Sequence, residues 1–90
     1  MNLQDLKDKT SSLDADEAIA LITEYLASNP TDPEALTLRG MRHFGAGHRA
    51  KAIGDYLEAL RIDPENKNAS QALQYANSIL DYYNKDLYNP

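Results

Sequence analysis

The sequence predicts an all-α fold of about five helices, and three observations carry that expectation. The first is internal repetition. Sliding the chain against itself by 34 residues lays residues 16–40 over residues 50–74 and pairs six identical residues: Ala18/Ala52, Ile19/Ile53, Glu24/Glu58, Leu26/Leu60, Pro30/Pro64 and Ala35/Ala69. The second is punctuation: an acid or asparagine precedes each long apolar-periodic stretch but one, and a proline or glycine follows most of them. The third is the lack of β-branched alternation and of hairpin dipeptides, so nothing in the sequence reads as a strand.

The elements follow in order. A short, polar first helix is expected over residues 2–10. Asp14-Ala15-Asp16-Glu17 has the pattern of a capping box, and Ala18, Ile22, Tyr25 and Leu26 follow at helical spacing, giving a second helix over 15–28. Asn29-Pro30 ends it, because proline lacks an N–H and restricts the residue before it. Asp32-Pro33 restarts the chain as a third helix over 33–45, with a capping acid and a proline at the first helical position. Gly45 and Gly47 break it. A fourth helix over 50–62 carries Ala52, Ile53, Tyr56, Leu57, Ala59 and Leu60 and stops at Asp63-Pro64. Asn66 or Asn68 caps a fifth, over 68–83, with Ala72, Leu73, Tyr75, Ala76, Ile79 and Leu80. Connections this short predict antiparallel neighbours. Gly40 costs about 1 kcal/mol of helix propensity relative to alanine, so close packing against Ala52 and Ala59 is the expected compensation.

Composition narrows the function classes. Ninety residues make one small domain. No run of 18 apolar residues is present, so no transmembrane helix is expected, and MNLQDLKDKT does not read as a secretory leader. Without cysteine there is no disulfide and no thiolate chemistry. A cytoplasmic location is the simplest expectation. A net charge of −5 opposes general nucleic-acid binding. One stretch runs the other way: Arg39, Arg42, His43, His48, Arg49 and Lys51 fall together without an acid among them. Arg42, Arg49 and Lys51 are expected as solvated charges on a turn and an outer face, or as contacts for an acidic partner. His43 and His48, the only histidines, lack a third ligand at helical spacing. Paired acids such as Asp14/Asp16 and Asp63/Glu65 sit at helix ends, where capping explains them. Neither catalysis nor a metal or other cofactor is expected.

At this point the pattern resembles the tetratricopeptide repeat. Residues 33–66 supply Leu36, Gly40, Phe44, Gly47, Ala52, Tyr56, Ala59 and Pro64 at the places that family fills with a bulky apolar residue, glycine, an aromatic, a turn glycine, alanine, an aromatic, alanine and proline. Residues 1–32 resemble a degenerate repeat, residues 67–83 a capping helix, and residues 84–90 form a tail outside the pattern. The whole looks like small stand-alone bacterial members of that family. The resemblance implies a short right-handed solenoid of stacked helix pairs, a scaffold whose concave face docks a peptide or helix of a partner protein. The positions that usually line that face hold Leu3 and Lys7, then Thr37, Leu38, Met41 and Phe44, then Gln71, Tyr75 and Ser78. Met41 and Phe44 also read as plain core residues. A clamp for a partner's terminal carboxylate is not expected, because Thr37, Met41, Gln71 and Tyr75 occupy its places and only Lys7 is basic. Arg39 and His43 depart from the pattern, standing where the family prefers leucine and tyrosine. Arg39 either snorkels its head into water or pairs with an acid such as Asp55.

The tail raises its own question, since Tyr82, Tyr83 and Tyr88 fall within the last nine residues. The leading expectation is that the chain is released at Asn84 and that Leu87 and Tyr88 fold back to seal the last helix. The alternatives are a disordered tail, or a ligand for a groove of its own or another copy, which would make the protein a structural, self-associating one. A monomer or a weak homodimer is expected.

Overall fold

In a computed structural model the backbone of residues 1–88 and the side chains of residues 1–78 are described. Five helices follow one another: α1 (Leu3–Thr10), α2 (Ala15–Ser28), α3 (Pro33–Gly45), α4 (Arg49–Ile62) and α5 (Lys67–Tyr88). No strand occurs among the described residues.

The caps are local chemistry. At α1, Asn2 Oδ1 accepts from the Asp5 N–H at 2.8 Å while the Asp5 carboxylate reaches back to the Asn2 N–H, so the reciprocal box closes here. At α2 the Asp14 carboxylate accepts from the Glu17 N–H at 2.8 Å. That bond holds the Asp14 carboxyl below the usual carboxylate range, and the Glu17 carboxyl, hydrogen-bonded to Asp14, is raised above it. Asp32 Oδ1 caps α3 by accepting from the Glu34 and Ala35 N–H groups. Asn66, not Asn68, caps α5, accepting from the Ala69 N–H at 2.9 Å.

The turn after α3 shows why Gly47 stands there. His48 N–H donates to the His43 carbonyl at 2.8 Å and Gly47 N–H to the Phe44 carbonyl at 3.1 Å. Those two bonds are the Schellman closure of a helix end, which needs a left-handed residue between them; Gly47 supplies it at φ +85°.

α3 and α4 run antiparallel and touch closely. A β-carbon on Gly40 would meet the ring of Tyr56 and the Ala52 carbonyl, so the glycine is the gap through which the aromatic packs. α2 and α3 are joined end to end by the Tyr25 hydroxyl, which donates to Asp32 Oδ2 at 2.9 Å. That bond pushes the Tyr25 phenol above its usual range. The apolar core comes in two blocks. Leu6, Ile22, Leu26, Ala35, Leu36, Ala59 and Ala69 join all five helices. Ala52, Tyr56 and Ala76 lie at the far end, with Phe44, Ile53, Ala72 and Leu73 packed on them. A radius of gyration of 13.9 Å exceeds the ~12 Å of a spherical chain this long, as a row of stacked hairpins requires.

Two expectations change, and one pair of alternatives is resolved. The chain is not released at Asn84: α5 continues as helix to Tyr88, since asparagine costs a helix only a few tenths of a kcal/mol. The packing of Leu87 and Tyr88 and the role of the segment from Tyr82 to Pro90 lie outside the described side chains. Arg42 is not a solvated charge. Its Nη2 donates to the Thr10 carbonyl at 2.8 Å, closing the C-terminal end of α1 from α3; Lys51 is exposed and Arg49 half-buried. Arg39 resolves its alternatives by pairing with Asp55.

Candidate functional site

The described residues enclose one large groove, of about 610 Å³, between α1, α3 and α5. Its geometry follows from the 34-residue step. Along α3 the lining residues are Glu34, Thr37, Leu38 and Met41; along α5 they are Asn68, Gln71, Ala72 and Tyr75. Each α5 residue is the α3 residue plus 34, so two parallel helices present the same face side by side. Lys7 of α1 stands 34 before Met41 and lines the groove as well. Lys7, Met41 and Tyr75 therefore form a row across three helices. Phe44 extends the α3 wall, and the Tyr56 ring, 2% exposed, forms the floor from α4. Burial raises the Tyr56 phenol above its usual range.

Of the nine residues assigned to the concave face, seven line this groove: Lys7, Thr37, Leu38, Met41, Phe44, Gln71 and Tyr75. Leu3 instead packs on the core block under α1, and Ser78 is exposed beyond the groove. Thr37 lines the groove without offering its proton, because it is buried and its hydroxyl donates to the Pro33 carbonyl at 2.8 Å. Glu34, Tyr56, Asn68 and Ala72 were not anticipated. The signal for three of them was present: positions 34, 68 and 72 follow from 37, 71 and 38 by one helical turn or one repeat.

Surface chemistry divides the groove in two. Met41 is 55% exposed and Tyr75 62%, large apolar faces left open to water. Tyr75 meets Phe44 with ring centroids 5.5 Å apart and planes tilted 56°, within the range of favourable aromatic pairs. Phe44 itself is half-buried on the second core block, so it serves core and wall together. The opposite end is polar and ordered. Glu34 Oε1 accepts from Asn66 Nδ2 at 2.8 Å and Oε2 from Asn68 Nδ2 at 3.2 Å, tying the starts of α3 and α5 together. Lys7 is the single cation among the lining residues.

The repeat signature lies behind the groove. Leu36, Ala52, Tyr56 and Ala59 are buried with Gly40, Gly47 makes the turn, and Pro64 is exposed after α4. On the flank of the α3–α4 pair, Arg39 Nε and Nη2 donate to the two oxygens of Asp55 at 2.9 and 2.7 Å, and Nη1 donates to Thr23 Oγ1 of α2 at 3.3 Å. The bond to Asp55 raises the Arg39 guanidinium further above its already high range. Among the described residues no three histidine or acidic side chains gather as a metal would require.

Comparison with known proteins identifies the central hairpin. Residues 33–66, the α3–α4 hairpin and the turn after it, match the model of the tetratricopeptide repeat. Those 34 residues are thus a tetratricopeptide repeat. A tract of 52 residues is 42% identical to the DnaJ homolog subfamily C member 7 homolog of Schizosaccharomyces pombe, covering 58% of this chain and 11% of that protein. This chain thus spans about a tenth of the relative's length. No solved structure matches it. Tetratricopeptide repeats are in general protein–protein interaction modules. In this one the α3–α4 hairpin is the matched repeat, and α5 stands where the first helix of the next repeat would, as the Glu34–Asn68 bond across 34 residues makes visible.

Proposed function

We propose that this chain is a non-catalytic docking module that holds a peptide or helix of a partner protein in the groove between α1, α3 and α5. The observation that supports this most directly is the row of open apolar side chains, Met41 and Tyr75, beside the tilted Phe44–Tyr75 pair, in a tetratricopeptide-repeat chain. Apolar surface left in water at the mouth of a concave site, with a polar rim, is the signature of recognition and not of folding. Adaptable methionine and rigid tyrosine suit an apolar anchor of the partner. Gln71 and Lys7 stand at the rim, and Lys7 complements an acid flanking that anchor. On this reading no catalytic step is assigned to the chain.

Selection of peptides from a displayed random library against the purified chain tests the reading. Selected peptides are expected to carry a large apolar anchor, to shift backbone resonances around Lys7, Met41 and Tyr75, and to lose binding at least tenfold in Tyr75→Ala. Peptides that bind equally well to Tyr75→Ala and to Met41→Ala, or that shift resonances only on α2, would remove the groove from the account.

A further inference from the structure

The least satisfied polar group in the described structure lies away from the groove, on the other flank of α3. His43 Nδ1 is buried and has no hydrogen-bond partner. Its Nε2 faces Asp55 Oδ2 at 4.0 Å, too far for a good hydrogen bond, and that oxygen already accepts from Arg39 Nε. The side chain is 12% exposed. The groups around it are Arg39 on its own helix, Asp55 and Lys51 from α4, and His48 from the turn, whose ring lies 5.9 Å away.

Such a setting tolerates the neutral imidazole and penalises the charged one. With its proton on Nε2 the neutral ring faces Asp55 and leaves only a lone pair buried at Nδ1. Adding a proton there creates a donor with no acceptor, inside a site where Asp55 is already neutralised by Arg39 and where Lys51 and His48 add like charge. The C-terminal end of α3 favours a cation, but by less than an unpartnered buried charge costs.

We propose that His43 is a proton-operated latch on the α3–α4 pair, seated while neutral and driven out when protonated, so that acidification loosens the last turn of α3 and the Phe44 wall beside it. The linkage runs through the backbone. His43 is the residue whose carbonyl accepts from both Ala46 and His48 in the closing turn, and Phe44 is its neighbour. Displacing the ring strains that turn and with it the pairing of Phe44 and Tyr75. Burial pushes the imidazole below the usual histidine range, with Asp55 opposing and Arg39, Lys51 and His48 assisting. The unfolded chain therefore takes up the proton first as pH falls. Stability is complete above about pH 7 and is lost from about pH 6.5 downward, until the native imidazole is also protonated. The first link, from His43 to the helix pair, holds whether or not the groove docks a partner.

Urea denaturation at pH 7.5 and pH 5.5, on the wild type, His43→Phe and His48→Gln, tests it. The unfolding constant of the wild type is expected to rise more than that of His43→Phe between the two pH values, by up to about tenfold, while His48→Gln keeps most of that excess. Carboxylates that titrate near pH 5.5 contribute equally to all three and cancel. Equal pH dependence in wild type and His43→Phe, or its loss in His48→Gln, would overturn the latch. Should His43→Phe not fold, the wild type alone decides by imidazole NMR. His43 titrating below the ordinary histidine range, with the Phe44 and Tyr75 rings separating in step, supports the proposal. His43 titrating at or above the ordinary histidine range, or the two rings staying paired once it is protonated, rejects it.

Discussion

Gly40 and Tyr56 approach so closely that a β-carbon on the glycine would stand 2.5 Å from Tyr56 Cε1 and 2.8 Å from Cδ1, with the Ala52 carbonyl oxygen 3.1 Å away. The ring is 2% exposed and has nowhere to go. Gly40→Ala gains about 1 kcal/mol of helix propensity and loses about 1–3 kcal/mol to overpacking, with the backbone contact at Ala52 adding to the loss. The expected result is a net loss of about 1–2 kcal/mol in urea denaturation, partly relieved by adding Tyr56→Leu. A Gly40→Ala chain more stable than the wild type would show that α3 and α4 are further apart than described.

Arg39 and Asp55 form a two-pronged pair, with side chains 23% and 10% exposed. Asp55→Ala leaves a half-buried guanidinium beside His43 and is expected to cost about 3 kcal/mol. Arg39→Leu combined with Asp55→Ala removes both charges and should cost less than the sum of the single changes. A double-mutant cycle showing a coupling energy indistinguishable from zero would make the pair a surface ornament.

Asn66 joins two tasks at 6% exposure: it caps α5 and donates to Glu34. Asn66→Ala is expected to cost about 2 kcal/mol, roughly one for the cap and one for the lost bond to a carboxylate. Asn66→Asp keeps the cap but sets a second acid against Glu34. It should be less stable than the wild type at pH 7, with the deficit shrinking as pH falls through the carboxylate range. A deficit independent of pH would mean that Glu34 is not the partner.

Met41 and Phe44 lie one turn apart on α3 with different burdens. Met41 is exposed, whereas Phe44 packs on Ala52, Tyr56 and Ala76. Met41→Ala and Tyr75→Ala should therefore change stability by no more than about 1 kcal/mol, and Phe44→Ala should cost about 2–4 kcal/mol. Thermal denaturation ranks them. A large loss in Met41→Ala would return that residue to the core and weaken the case for an open groove.

Much of this architecture was legible in the residue order. Asp14, Asp32-Pro33, Gly47 and Asn66 act on backbone groups two to four residues away, so helix boundaries are readable wherever such a signal stands. The groove positions came from the resemblance to the tetratricopeptide repeat, in which a helix repeated every 34 residues presents a repeated face. Where the signal was weak, as at Asn84, the expected end of α5 fell five residues short of Tyr88. Contacts between helices were another matter. Whether Arg39 met Asp55 or water, where Arg42 found the Thr10 carbonyl, that Glu34 bound Asn66 and Asn68, and that His43 Nδ1 found nothing were settled only when the hairpins stacked. Caps and breakers are short-range interactions encoded in neighbouring residues, whereas a side chain's partner 16 to 34 residues away depends on the distance and rotation between helices, which core packing alone determines.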